Sequence, residues 1–178
     1  MKRIYNLLTL AVALPLLLLA SPAVAFQLTL HDAPAEVYYS PRGGAQDALV
    51  RRIDASRESV YLLAYSFTSE PIAGALERAV RRGVFVAAIL DRSQPTARGC
   101  QGQALAEAGA TVYVDRKHAI AHNKVMIFDG AAVATGSFNF TKGAEEKNAE
   151  NLLILDSPAL AKLYREEWER HREHAERW

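Results

Sequence analysis

The sequence predicts a single α/β domain with a mixed, largely parallel central sheet and helices on both of its faces. Apolar strand-like runs alternate with segments whose apolar residues recur at helical spacing, and this alternation is typical of parallel strand–helix–strand units. In the second half, two short apolar runs meet at Asp129-Gly130, a dipeptide typical of a tight hairpin, which adds an antiparallel pair. No linker, second domain or pair of similar halves is visible in the 178 residues.

In chain order, the first half is predicted to form a strand at 36–39, a helix at 45–55, a strand at 59–66, a helix at 70–82 and a strand at 84–90. The helix at 70–82 has the clearest limits. Ser69 or Thr68 can cap it and Pro71 suits its first turn. Gly83 then ends it, because glycine readily adopts the conformation that follows a helix.

After a polar loop, the second half is predicted to form a helix near 103–108, strands at 111–114, 124–129, 131–135 and 151–155, and a helix from Pro158. In that last helix the apolar side chains recur at helical spacing, which predicts one buried face: Leu160, Leu163, Tyr164 and Trp168.

Residues 1–25 are typical of a secretory signal peptide. Lys2 and Arg3 precede an apolar run at 7–20, and small residues at 23–25 suit cleavage. The run is short for a membrane span, and a retained N-terminal anchor is the alternative. We expect a periplasmic or secreted protein, with a mature domain at 26–178 and no stable membrane association after cleavage.

Composition excludes some classes of protein. The 21 basic and 20 acidic residues nearly cancel, so a basic surface for nucleic acid must be local. Basic residues do cluster around the candidate site described below: Arg92, Arg98, Arg116, Lys117, Lys142 and Lys147. Cys100 is the only cysteine, which argues against a disulfide scaffold and against a cysteine zinc site.

The segment from His122 to Glu150 carries the chemistry. His122 and Lys124 lie two apart, as do Ser137 and Asn139, and side chains two apart on a strand share a face. Those four side chains can converge if the second pair continues the end of the partner strand. A base or nucleophile, a cation, a hydroxyl and an amide at one point suit a phosphate.

The text HNKVMIFD at 122–129, followed by GSFN at 136–139, resembles the phospholipase D superfamily signature His-x-Lys-x4-Asp, then Gly-Ser-x-Asn. With AYSFTSEPIAGAL at 64–76 and TGSFNFTKGAEEKNAENLLIL at 135–155, it is similar to the small single-motif bacterial endonucleases of that superfamily. The resemblance covers roughly Glu36 to Trp168, and no motif position departs from the pattern. It implies a phospholipase D-like fold.

Each site residue has an expected role. His122 can attack phosphorus and form a covalent phosphohistidine, which water then hydrolyses. Lys124 and Asn139 can hold the non-bridging oxygens, with Ser137 as a further donor. Glu150 can accept a hydrogen bond from the other ring nitrogen of His122, which fixes its tautomer. The resemblance implies the same roles.

Asp129 falls on the opposite strand parity from Lys124 and is expected to face away from the site, and the resemblance marks it as structural. One histidine cannot be neutral nucleophile and protonated general acid in the same step. None of the other four histidines is followed two residues later by lysine. A twofold dimer that brings two copies of His122 to one phosphate supplies the acid. The resemblance implies the same homodimer.

The leading hypothesis is an exported, metal-independent endonuclease acting on DNA, with RNA as an alternative substrate. A phospholipase D-type lipid phosphodiesterase is the second, since Phe138 and Phe140 beside the site could face a lipid. A catalytically silent nucleic-acid-binding protein is the third. No cofactor or metal is expected. His171 and His174 have a spacing that can bind metal, but their charged neighbours favour a solvated face.

Overall fold

The computed structural model describes residues 26–178, so the predicted signal peptide at 1–25 lies outside the described residues. The described chain forms eight strands: β1 (Ala35–Ser40), β2 (Ser59–Ala64), β3 (Phe85–Asp91), β4 (Thr111–Asp115), β5 (Lys124–Phe128), β6 (Ala132–Gly136), β7 (Glu150–Asp156) and β8 (Glu176–Arg177). It also forms five α-helices: α1 (Ala45–Ala55), α2 (Glu70–Arg81), α3 (Gly102–Glu107), α4 (Lys142–Glu146) and α5 (Pro158–Arg172).

The eight strands form one mixed sheet in the order β1-β7-β6-β5-β2-β3-β4-β8. The predicted α/β fold with a mixed sheet and flanking helices is confirmed. The expectation that the sheet is largely parallel is wrong: within residues 26–178, two of seven strand pairs are parallel and five are antiparallel. The connection between β5 and β6 is the three residues 129–131, which is too short for a crossover, so these two strands must run antiparallel.

Helices cover both faces of the sheet. On one face, Leu49 of α1 and Leu76 of α2 pack with the strands in a large buried cluster. On the other face, Ala161 and Trp168 of α5 pack in a second cluster with strand residues such as Leu63. The central strands are therefore apolar on both sides, as expected for a sheet between two helical layers.

Local signals set the helix limits as predicted. Ser69 accepts a hydrogen bond from the Ile72 N–H at 3.4 Å at the start of α2. Ser157 likewise accepts one from the Leu160 N–H at 3.2 Å at the start of α5. Gly83 follows α2 with a positive φ of 85°.

Two of these strands and α-helices were not predicted. β8 has two residues and no apolar pattern, and it forms because its backbone pairs with β4. Helix α4 lies inside a segment predicted to be a loop, where Thr141 caps it by accepting a hydrogen bond from the Ala144 N–H at 3.1 Å. Among residues 26–178, no helix has the length and apolar character that crossing a bilayer requires.

Candidate active site

The strand directions bring the predicted site residues to one end of the sheet. Strands β2, β3 and β4 run parallel, and β5 runs antiparallel to β2. Strand β6 runs antiparallel to β5, and β7 to β6. The C-terminal ends of β2, β3, β4 and β6 therefore lie beside the N-terminal ends of β5 and β7. We call this the site end of the sheet.

His122 is exposed and lies two residues before β5. Its imidazole packs on the ring of Tyr65, with the ring centroids 4.5 Å apart. Tyr65 follows the C-terminal end of β2, and its N–H donates to the carbonyl of Asn123 at 3.0 Å. The imidazole is thus supported on one side by an aromatic ring and open to solvent on the other.

Lys124 is the first residue of β5 and is only 7% exposed. Its ammonium donates a hydrogen bond to the carbonyl oxygen of His122 at 2.7 Å and lies 5.1 Å from the centroid of the Tyr65 ring. Burial lowers the pKa of Lys124, and the nearby Glu150 carboxylate partly opposes that shift. Among the described residues the ammonium forms no salt bridge, so the site holds a buried cation that is not neutralised by contact.

Ser137 follows β6 and is exposed at the same end. Its Oγ accepts a hydrogen bond from the Asn151 N–H at 3.0 Å, while its own N–H donates to the Asn151 carbonyl at 3.1 Å. The residue before Ser137 is a glycine, Gly136. A Cβ at that position would lie 2.2 Å from the same carbonyl oxygen, which is too close for any side chain. This close pairing fixes Ser137 in position and leaves its O–H available as a donor.

Asn139 lies between two buried phenylalanines. Its Oδ1 is buried and has no hydrogen-bond partner among residues 26–178. Buried polar atoms without partners are rare, and they mark places where a ligand or another molecule can complete the hydrogen bonding. Phe138 and Phe140 themselves are 0% exposed, so the expectation that they could face a lipid is wrong. They belong to the core because the adjacent strands cover them on the side of α1 and α2.

Glu150 is the first residue of β7 and therefore lies at the site end. Its carboxylate accepts a hydrogen bond from the Asn148 amide at 3.0 Å. Within the described chain it forms no hydrogen bond with His122. The structure thus brings Glu150 close enough to influence Lys124, but its expected contact with the histidine ring is not made here.

Asp129 lies at the opposite end of β5 and faces away from His122, Lys124 and the other site residues. Its carboxylate accepts hydrogen bonds from the N–H groups of Arg57, Glu58 and Ser59, at 3.0, 2.9 and 2.9 Å respectively. Its own backbone has a positive φ of 50°, which asparagine and aspartate tolerate better than most residues. Asp129 thus ties the hairpin to the start of β2.

The segment 116–123, which we call the crossing loop, connects β4 to β5 and carries His122 at its end. Since β2 and β3 lie between those strands, the loop passes over their C-terminal ends. In mid-course the buried Asp91 accepts a hydrogen bond from the Ala121 N–H at 2.7 Å. Tyr65 and Asp91 were not predicted as site residues. The available signal was that each is a polar residue at the end of a buried strand.

Cations surround the site end. Of the six basic residues predicted around the site, four are exposed and form no salt bridge among the described residues: Arg92, Arg98, Lys117 and Lys147. Arg92 and Lys117 come directly after β3 and β4, and Lys147 shortly precedes β7. The other two predicted cations, Arg116 and Lys142, pair with Glu176 and Glu146. The site end therefore presents local positive charge on a nearly neutral chain.

The expectation of a solvated face for the histidines of α5 is wrong for His171, which is 7% exposed. His171, His174 and His118 instead surround the buried carboxylate of Asp115 at the end of β4. Burial alone would raise the pKa of Asp115, but contacts from His118, His171 and His174 outweigh it and hold the pKa well below its usual range. This cluster joins the crossing loop to the end of α5.

The chain is similar to a known protein family. Residues 49–172 match the family model described as cardiolipin synthase, PLD-like domain. Among curated proteins, the chain is 39% identical over 130 residues to a phospholipase D of Rickettsia bellii, covering 73% of this chain and 65% of that protein. It is 38% identical over 122 residues to the mitochondrial cardiolipin hydrolase of Xenopus laevis, covering 68% of this chain and 58% of that protein. The chain spans less than two thirds of both relatives.

Solved structures share the fold. The phospholipase D family member Nuc from Salmonella typhimurium superposes with a TM-score of 0.79 at 36% identity, covering 83% of this chain and 99% of that one. NucT from Helicobacter pylori superposes with a TM-score of 0.77 at 26% identity, covering 83% of this chain and all of that one. Both neighbours are matched along almost their whole length, unlike the curated relatives above.

Proposed function

Because the chain belongs to the phospholipase D superfamily, we propose that it is an exported, metal-independent endonuclease that hydrolyses DNA at a site shared across a homodimer. The observation that carries this proposal is an exposed imidazole, His122, beside the buried ammonium of Lys124, which forms no salt bridge among the described residues. Burying a cation without a counter-ion lowers the stability of the fold. An anionic substrate beside the cation restores the lost electrostatic interaction.

The proposed reaction has two steps. A ring nitrogen of His122 attacks phosphorus, the P–N bond forms, and the bond from phosphorus to the leaving oxygen breaks. The leaving oxygen takes a proton from an imidazolium. Water then attacks phosphorus, and the P–N bond breaks to release free His122. The second imidazole, which gave its proton to the leaving oxygen in the first step, takes a proton from this water.

Lys124 stabilises the charge that develops on the non-bridging oxygens. The hydroxyl of Ser137 is a further donor at the same end, with Asn139 beside it. Preorganised donors and cations in a partly buried site act more strongly on developing charge than the same groups in water. They supply the positive charge that a magnesium ion provides in other phosphodiesterases.

The second acid comes from the partner subunit in this proposal. His118, His171 and His174 are committed to Asp115, and His31 lies in the N-terminal segment before β1. No second histidine of the described chain therefore accompanies His122. Glu150 is proposed to accept a hydrogen bond from the other ring nitrogen of His122 in place of the one it accepts from Asn148 here.

Two features favour a nucleic acid substrate. The exposed cations Arg92, Lys117 and Lys147 lie around the site end, where they can contact phosphates on either side of the cut bond. Two structural neighbours that this chain matches along almost their whole length are Nuc and NucT.

The proposal is tested by incubating supercoiled plasmid with the purified mature protein in excess EDTA, with His122→Asn as the matched control. We expect nicking by the wild type and none by the variant. Equal nicking by both proteins contradicts the role of His122. Activity that disappears in EDTA and returns with magnesium contradicts the metal-independent reaction.

The shared site is tested by refolding wild type with an excess of His122→Asn. If each site needs one histidine from each subunit, mixed dimers are inactive, and activity falls below that of the same amount of wild type alone. A dilution series in sedimentation that finds an active monomer contradicts the dimer.

A lipid phosphodiesterase is the second candidate, because the rickettsial and frog relatives are a phospholipase D and a cardiolipin hydrolase. The same residues can attack a phosphatidyl ester. Vesicles of phosphatidylcholine with cardiolipin provide the test. Release of phosphatidic acid by wild type, absent with His122→Asn and accompanied by no nicking of DNA, favours the lipid reaction.

A further inference from the structure

A second cluster of reactive side chains lies outside the proposed active site. The buried Asp115 Oδ2 lies 2.8 Å from His118 Nδ1, 2.8 Å from His171 Nδ1 and 3.3 Å from His174 Nε2. The three imidazole centroids form a nearly regular triangle, with separations of 4.9, 5.1 and 5.6 Å. All four donor atoms lie within 4.8 Å of one another.

The other contacts of these groups orient them toward the same point. Asp115 Oδ1 accepts hydrogen bonds from the N–H groups of Lys117 and His118, at 3.0 and 3.2 Å, which leaves Oδ2 to face the rings. The second nitrogen of His171, Nε2, lies 3.3 Å from a carboxylate oxygen of Glu167. A carboxylate behind the far nitrogen of a histidine is the usual outer-shell arrangement at metal sites.

Three imidazole nitrogens thus face one carboxylate oxygen at a single point. Each nitrogen has a lone pair in the suitable tautomer, and a carboxylate oxygen always has one. One divalent cation can bind all four atoms at once.

We propose that Asp115, His118, His171 and His174 bind one zinc ion. Three imidazole nitrogens and one carboxylate oxygen form a donor set that zinc accepts in tetrahedral geometry. Ligand bonds of about 2.0–2.1 Å place tetrahedral donors about 3.3 Å apart, so the 2.8 Å contacts lengthen by about 0.5 Å when the ion enters. The partly exposed ring of His118 provides the route of entry.

This zinc has a structural role. Four protein ligands close the coordination shell and leave no position for substrate, in contrast to catalytic zinc sites. The ligands lie at the end of β4, which β2 and β3 separate from β5 and its residue Lys124. The ion therefore takes no part in phosphodiester hydrolysis, which remains independent of metal.

The zinc fastens the start of the crossing loop. His118 belongs to that loop, and His171 and His174 belong to the end of α5 and the turn after it. Asp91 holds the same loop at Ala121, and Tyr65 holds it at Asn123. The ion thus adds a third anchor to the segment that positions His122.

The test measures zinc directly and does not depend on nuclease activity. The mature protein is stripped with chelator and dialysed, then titrated with zinc by calorimetry, and its melting temperature is recorded with and without the ion. We expect one zinc per chain and a higher melting temperature with zinc. Cobalt(II) in the same site is expected to give the visible absorption of a tetrahedral complex.

Two variants of partly exposed ligands, His118→Ala and His174→Ala, avoid disturbing the core. Each is expected to weaken zinc binding at least tenfold and to abolish the zinc-dependent shift in melting temperature. His31→Ala and His122→Asn are the matched controls, since each removes a histidine outside the cluster, and both are expected to retain one zinc per chain.

Three results overturn the proposal. The first is that the stripped protein takes up no stoichiometric zinc. The second is that His118→Ala and His174→Ala bind zinc as tightly as wild type. The third is that His122→Asn is the variant that loses zinc binding. The first result leaves the cluster as a hydrogen-bonded network of imidazoles around Asp115.

Discussion

The two ends of strand β5 differ in what their polar groups contact. At one end, Asp129 gives its carboxylate to three backbone N–H groups. At the other end, His122 is exposed, Lys124 forms no salt bridge with the described residues, and Asn139 Oδ1 has no partner among them. The eight-residue motif at 122–129 therefore joins a turn held by hydrogen bonds to a site whose polar groups lack a full set of such partners.

The difference shows how stability and reactivity are divided along a single strand. Groups that already have their hydrogen bonds stabilise the fold and gain little from a ligand. Groups that are positioned but unpaired cost stability, and a substrate can provide what they lack. Substitutions at the two ends are therefore expected to affect different measurements.

The largest effect is expected from His122→Asn. Loss of the nucleophile should lower turnover by about three orders of magnitude or more. Because the ring is exposed, the free energy of unfolding should change by less than about 0.5 kcal/mol. Nicking rates and urea denaturation of the same preparation measure both quantities. A variant that is destabilised and still active would reverse the assignment of this end of β5.

Lys124→Met should lower turnover by about 10²–10³-fold, the usual cost of one group that stabilises developing charge. It should leave stability unchanged or raise it. The pKa of Lys124 is lowered by burial, so the charged form costs stability in the folded state. This loss of folding stability is complete at pH values below the pKa of Lys124 in the folded state. It shrinks as the pH rises from that pKa to the higher pKa of the unfolded state.

The pH dependence gives an independent check on Lys124. The difference in unfolding free energy between Lys124→Met and wild type should be greatest near neutral pH and should shrink in alkaline buffer. Urea denaturation at several pH values measures it. A variant that is clearly less stable than wild type at neutral pH would mean that the ammonium contributes to the fold, as Asp129 does.

Asp129→Ala should show the opposite pattern from the site residues. Losing an acceptor for three N–H groups should lower the free energy of unfolding by about 2 kcal/mol, with turnover per folded molecule unchanged. Asp129→Asn is the matched control, because it keeps one acceptor oxygen and tolerates a positive φ, and it should lose less. If Asp129→Ala abolished turnover at full stability, the two ends would not be separable.

The smallest effect is expected at Tyr65, which supports the His122 ring. Tyr65→Leu removes the aromatic contact and should lower turnover roughly fivefold, equivalent to about 1 kcal/mol. Tyr65→Phe keeps the ring and should behave like wild type. A strong loss in Tyr65→Phe would instead indicate that the hydroxyl takes part in the reaction.

Several features were predictable because their signals are local. The limits of α2 and α5 follow from serine caps and early prolines that are read directly along the chain. The hairpin at Asp129-Gly130 follows from a dipeptide that tolerates positive φ. The motif residues were identified from their types and spacing, which are also properties of a short segment.

Other features depend on contacts between distant segments. A single polar residue at the end of a strand has no pattern that reveals its partner, so Tyr65 and Asp91 were not predicted. The buried state of Phe138 and Phe140 depends on strands and helices that precede them by many residues. The sequence could not distinguish a core position from a surface beside the site.

The sequence by itself predicted most of the elements, the superfamily and the candidate site residues, because each depends on patterns and motifs that are read along the chain. Only the tertiary structure decided that the sheet is mainly antiparallel and that Phe138 and Phe140 are buried. It alone brought Asp115 and His118 to His171 and His174, more than fifty residues later in the chain. Proximity across such separations arises from the packing of strands and helices, and no local pattern encodes it.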